Sequence, residues 1–110
     1  MSLPLASVKE NLSMIESRLL KVGGEQARKG FEVRLRKIGS IIAENETKIW
    51  LRTKVGQPMV KSLSDSVEAL LKLLEDPSLS VERVEAALVE VEKQVGKLDE
   101  ESRRRSMVVT

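Results

Sequence analysis

The sequence predicts an all-α chain folded as an antiparallel four-helix bundle. Three observations predict it. Apolar residues recur every three or four positions in four successive stretches, Gly and Pro punctuate the gaps, and no run alternates apolar and polar residues as a strand would. At 110 residues the chain is sized for one domain that buries roughly 65% of its unfolded surface.

The first helix is expected over about 4–22. Pro4 suits a first helical turn, and Leu5, Val8, Leu12, Ile15, Leu19 and Val22 follow as a heptad seam that ends at Gly23-Gly24. The second is expected over about 25–54, with Ala27, Phe31, Leu35, Ile38, Ile42 and Ile49 on its apolar stripe and Asn45 in the gap. A polar residue there either pins register or oligomer state, or meets water at the rim. Gly30 and Gly39 each weaken this helix by about 1 kcal/mol relative to Ala. Val55-Gly56-Gln57-Pro58 breaks it.

The third helix, about 59–75, carries Leu63, Val67, Leu70, Leu71, Leu73 and Leu74 over an arc of roughly 160°, the widest apolar face and so the most buried. Asp76-Pro77-Ser78 closes it, and Ser80 is placed to cap the fourth helix, about 81–101. There Val81, Val84, Leu88, Val91, Val95 and Leu98 repeat the heptad seam. Residues 1–101 form the expected bundle domain, and 102–110, without periodicity, a flexible tail. Short connections favour antiparallel neighbours, and the second helix, the longest, overhangs them. The alternative is that helices one and two join through Gly23-Gly24 into one rod within an intertwined dimer.

Composition narrows the chemistry. Cys, His and Tyr are all absent, which removes thiolate chemistry and most acid, base and metal-ligand side chains. No Gly-x-Ser-x-Gly elbow or Gly-rich phosphate loop occurs. Glu44 and Glu46 lie about 160° apart on a helix, and Glu85 with Glu82 points away from a common site. The expectation is a protein without catalytic residues, cofactor, metal or small-molecule substrate. No targeting run or membrane-length apolar stretch is visible, which points to a cytoplasmic chain that does not enter membranes. Abundant Lys, Glu, Arg and Val with few Asn and Gln is a thermophile-like balance.

Charge is divided along the chain. Residues 1–61 carry a net +6 and residues 62–110 a net −4. The bland account pairs the halves within one fold: Glu85, Glu92 and Asp99 form an acidic row beside the fourth seam, and Arg34 and Arg52 flank the second. The sharper account takes Arg28, Lys29, Arg34, Arg36, Lys37, Lys48, Arg52 and Lys54 as contacts to nucleic acid. Arg103-Arg104-Arg105-Ser106 resembles a site for a basic-directed kinase, with Ser106 the acceptor.

An apolar surplus on the second helix remains. If it is continuous, Trp50 lies about 105° and Val33 and Leu51 about 155° from the stripe, with Ile41 about 75° off the other flank. Such a helix is hydrophobic nearly all round and needs cover. Val33, Ile41, Trp50 and Leu51 are therefore the expected homodimer interface, unless the 55–58 loop or the tail folds over Trp50 and Leu51. The sequence thus reads as a structural or adaptor protein working through protein–protein contacts as a homodimer or higher oligomer. The alternative is a small helical subunit that contacts nucleic acid within a larger complex.

Overall fold

The computed structural model describes residues 4–19, Val22 and 24–108, with the side chains of 106–108 outside the described set. Four helices follow in order: α1 (Ala6–Arg18), α2 (Glu25–Asn45), α3 (Gly56–Leu73) and α4 (Val81–Val108), with a short 3-10 turn, Ile49–Arg52, between α2 and α3. The heptad seams become the core. Leu5, Val8, Leu12, Ile15 and Leu19 meet Phe31, Leu35, Ile38 and Ile42, and both meet Leu63, Val67 and Leu70 and the α4 row from Val84 to Leu98. The antiparallel four-helix bundle is the fold.

The boundaries moved where interior packing overrode local pattern. α1 ends at Arg18, short of the expected 22, in a turn whose Val22 N–H donates to the Leu19 carbonyl at 2.9 Å. Gly24 follows at φ 86°, a left-handed conformation that suits glycine alone, and reverses the chain. α1 and α2 are therefore a hairpin, tied by Lys9 Nζ to Glu46 Oε2 at 2.8 Å, and not one rod.

The largest correction is to the second helix. It stops at Asn45, and Lys48 turns extended at ψ 126°. The physical reason is a competition between side chains. A helix continued to residue 54 would seat Ile49 on the seam and push Trp50 and Leu51 toward solvent. Breaking it exposes Ile49 by 83% and buries Trp50 and Leu51 to 9% and 1%. Two large side chains, worth about 2 kcal/mol or more each, outweigh one. The backbone stays satisfied: Lys48 N–H donates to Asn45 O, Leu51 N–H to Lys48 O and Thr53 N–H to Trp50 O, at 3.0–3.3 Å.

α3 consequently begins at Gly56 and not at residue 59. Thr53 Oγ1 donates to Trp50 O at 2.6 Å and accepts the Gly56 N–H at 3.3 Å, and Pro58 falls in the first turn, where its missing N–H costs nothing. At the other end Asp76 Oδ1 accepts the Ser78 N–H at 2.9 Å, and Ser80 Oγ accepts the Arg83 N–H at 3.3 Å, the cap expected for α4. α4 does not stop at 101. It runs 28 residues, about 42 Å of a molecule 48 Å long, so the overhanging helix is the fourth and the segment taken as a tail is helical to Val108.

Chain direction alternates from helix to helix, but the neighbours are not all consecutive. α1 lies against α2 and α3, and α4 against α3 and α2, so α2 and α3 stand diagonally. Arg18 near the end of α1 pairs with Glu75 beyond the end of α3, and Asn45 at the end of α2 meets Asp99 late in α4. The side-by-side pairs α1/α3 and α2/α4 are thus parallel. The ten residues 46–55 cross the diagonal, and α3 touches this crossover as well as α1 and α4.

Gly56 is required by that crossing. A Cβ there would stand 2.2 Å from Trp50 O and 2.5 Å from Leu51 Cα, backbone atoms that cannot rotate aside. Gly56→Ala should destabilise the protein by about 2 kcal/mol or more in urea unfolding. Gly30→Ala, whose Cβ meets nothing within 4 Å, should stabilise α2 by about 0.5–1 kcal/mol. Equal effects at the two positions would contradict the crossing.

Candidate functional site

Three arrangements gather the side chains singled out by the sequence. The first is the cover over the apolar end. Trp50 Nε1–H donates to Ser102 Oγ at 2.8 Å inside the protein, and the Arg105 guanidinium stands 5.1 Å from the indole centroid. Arg105 Nε also donates to Glu101 Oε2 at 3.0 Å, which holds the guanidinium over the ring. Trp50 and Leu51 therefore pack within the chain, covered by the crossover and the end of α4, and are not surface anchors as the continuous helix implied. The signal was in the sequence: Ser102 and Arg105 continue the α4 spacing beyond Leu98 by four and three, but as polar residues they do not register in an apolar seam.

The second is a clasp between α2 and α4. Arg34 Nε donates to Glu92 Oε2 at 3.0 Å, a second guanidinium nitrogen reaches the other Glu92 oxygen, and the third pairs with Glu85. The bidentate geometry is the strong form of this interaction. The hydrogen bond from Arg34 holds the Glu92 carboxyl below its usual range, and those same carboxylates raise the Arg34 guanidinium above its own. Lys37 adds a longer-range attraction to Glu92. The acidic row anticipated beside the α4 seam is what α2 pairs with. Its third member, Asp99, accepts from Asn45 Nδ2 at 3.4 Å and pairs with Arg103 at 3.1 Å. Asn45 is buried, with Nδ2 also donating to Ile41 O at 2.8 Å, so it binds α2's last turn to α4 in one register.

The third is what stays outside. Of the anticipated interface, Val33 is 62% exposed and Ile41 half-buried at the edge of the core. Val89 of α4 is 50% exposed and, by i+4 and i−3 spacing, lies between the two carboxylates that Arg34 holds. Of the eight basic residues, Arg34 is taken by the clasp and Lys29 pairs with Glu25. Arg28, Arg36, Lys37, Lys48, Arg52 and Lys54 have no ion pair among the described residues, and all but half-buried Arg28 are exposed. Arg52 does not flank a helical stripe, because α2 has ended before it. Instead it sits at a groove of about 910 Å³ between the starts of α1 and α3, floored by Leu51 and Val60.

Several carboxylates elsewhere are engaged in pairing: Glu46 with Lys9, Glu75 with Arg18, and Asp76 with Arg83. Ser106 lies within α4, its side chain outside the described residues, and Arg103, Arg104 and Arg105 pair with acids three or four residues back on the same helix. No helix among the described residues is long and apolar enough to cross a membrane. Compared with known proteins, the chain matches no family model, no curated protein and no solved structure.

The clasp gives a pH dependence. Glu92 has its carboxyl pulled down by Arg34, so its contribution is complete above the ordinary carboxylate range near 4.3 and disappears as pH falls through the depressed value. Asp76, lowered chiefly by the Ser78 N–H, acts in the same direction. Arg34→Met should cost about 1 kcal/mol at pH 7, since both partners keep part of their hydration. In thermal melts by circular dichroism, the gap between the variant and the unaltered protein should narrow at pH 3. A gap of the same size at both pH values would show that the charge pairing with Glu92 contributes nothing to it.

Proposed function

We propose that this chain is a non-enzymatic structural or adaptor protein that acts through protein–protein contacts as a homodimer. The observation that carries the reading is the apolar set left exposed or half-exposed on two adjacent helices, Val33 and Ile41 on α2 and Val89 on α4. Trp50 and Leu51 no longer belong to it, so the contact is smaller than the sequence alone implies and centres on the middle of α2 instead of its end.

Charge supports a second copy as the occupant. α2 carries a net +2 and residues 81–101 of α4 a net −4, the arginines at 103–105 bringing the whole of α4 to −1, and the two helices lie side by side. A two-fold axis parallel to the helices sets α2 of one copy against α4 of the other, opposite charge on opposite charge and Val33 near Val89. Self-association of this kind weakens with salt, because exposed charges are screened.

Light scattering on a sizing column tests the reading. The unaltered chain should elute with the mass of two copies at about 50 µM and shift toward one copy at 1 M salt. Val33→Glu with Val89→Glu should give the single-copy mass at every salt concentration with unchanged helicity. A single-copy mass for the unaltered chain, or a dimer indifferent to both substitutions, would contradict it.

A further inference from the structure

We propose that the crossover and the flank of α2 turned away from α4 bind the phosphate backbone of duplex nucleic acid. The fold sorts the basic residues into two sets. Arg34 faces α4 and is neutralised by Glu85 and Glu92. Arg36, two residues on and about 200° around the helix, faces away from that acidic row and is exposed without an ion pair among the described residues. Lys48, Arg52 and Lys54 project from the crossover in the same unpaired state. On other elements Lys9, Arg18, Lys61 and Arg83 each reach a carboxylate, whereas Lys72 on α3 and Lys93 and Lys97 on α4 stand exposed without an ion pair among the described residues, away from the crossover. Glu32 and Glu44 on α2 and Glu10 beside Arg52 are unpaired carboxylates nearby, three against Arg36, Lys37, Lys48, Arg52 and Lys54, so the surface stays net positive.

The crossover holds its cations on a firm base. Trp50 and Leu51 are seated in the core, Thr53 bonds Trp50 O, and Gln57 Nε2 donates to Arg52 O at 2.9 Å. Side chains displayed from such a base lose less freedom on binding than those of a floppy loop. Arg36 stands about 13 Å along the axis from the end of α2, and Lys48, Arg52 and Lys54 follow on the crossover. A spread of that length spans several duplex phosphates, which present a charge every ~1.7 Å of axis.

The apolar side chains choose the partner. Both aromatic residues, Phe31 and Trp50, are buried, so no stacking surface meets unpaired bases. The same burial leaves no interfacial aromatic for a lipid surface, where Ile49 and Val55 would be the exposed aliphatics among Lys48, Arg52 and Lys54. Contact with duplex phosphates needs cations alone and reads no sequence.

The test is fluorescence anisotropy with a labelled 20-base-pair DNA of arbitrary sequence. Binding should be micromolar at 50 mM salt and weaken about 200-fold at 200 mM, the slope for four or five neutralised phosphates. Lys48→Gln/Arg52→Gln/Lys54→Gln, with helicity checked, should weaken it at least tenfold and make the salt slope shallower by about three. Lys72→Gln/Lys93→Gln/Lys97→Gln, which removes as much charge from exposed positions on α3 and α4, should change it less than threefold. Absence of binding at 50 mM salt, equal losses in the two triple variants, or binding to phosphatidylserine vesicles in preference to the duplex would overturn the proposal.

Discussion

The structure depends on the break in the chain after Asn45. A helix can present one stripe to a core, and the stretch from Ile41 to Leu51 carries more apolar surface than one stripe can hide. Ending the helix turns Trp50 and Leu51 inward and releases Ile49. From that exchange follow the diagonal crossing, the parallel pairing of α2 with α4, and the close approach that admits only glycine at Gly56. It also accounts for the length of α4, whose last turns supply Ser102 and Arg105 to the indole that the break brings inside.

Around this apolar centre, polar groups set register. The Arg34 clasp and the Asn45–Asp99 contact lie on the same α2/α4 seam, one in the middle and one at the end. Two parallel helices with heptad seams could otherwise slide by a turn with little loss of apolar contact. A guanidinium shared by two carboxylates seven residues apart has one good position, so slippage leaves charges without partners.

Much of this was legible in the sequence. The α1 seam and all of the α4 seam except exposed Val81 became core, Ser80 caps α4, and two of the three heptad-spaced acids, Glu85 and Glu92, do pair with Arg34. The α2 boundary was not legible, because periodicity counts Ile49 as a seam residue and has no means of weighing it against Trp50 and Leu51. That comparison needs the volume of the core, which belongs to the tertiary fold. The anticipated interface divided for the same reason: Val33 and Ile41 depend only on the intact part of α2 and stayed at the surface, whereas Trp50 and Leu51 depended on its continuation. Ser102 was missed because a seam closed by a hydroxyl resembles a seam that has ended. The division of the basic residues into a neutralised set and an unpaired set likewise appears only once α4 is known to lie along one side of α2.

The single tryptophan gives the most direct test of the central claim, that the chain breaks after Asn45 and carries Trp50 inside its own fold. Its fluorescence is free of tyrosine and can be read at low micromolar concentration, with the mass in solution measured in parallel. The account predicts blue-shifted emission that acrylamide quenches poorly in a single copy of the chain, with a red shift and ready quenching only on unfolding in urea. Red-shifted, readily quenched emission from the folded single copy would mean that α2 continues and Trp50 faces solvent, and the account would fail at its first step.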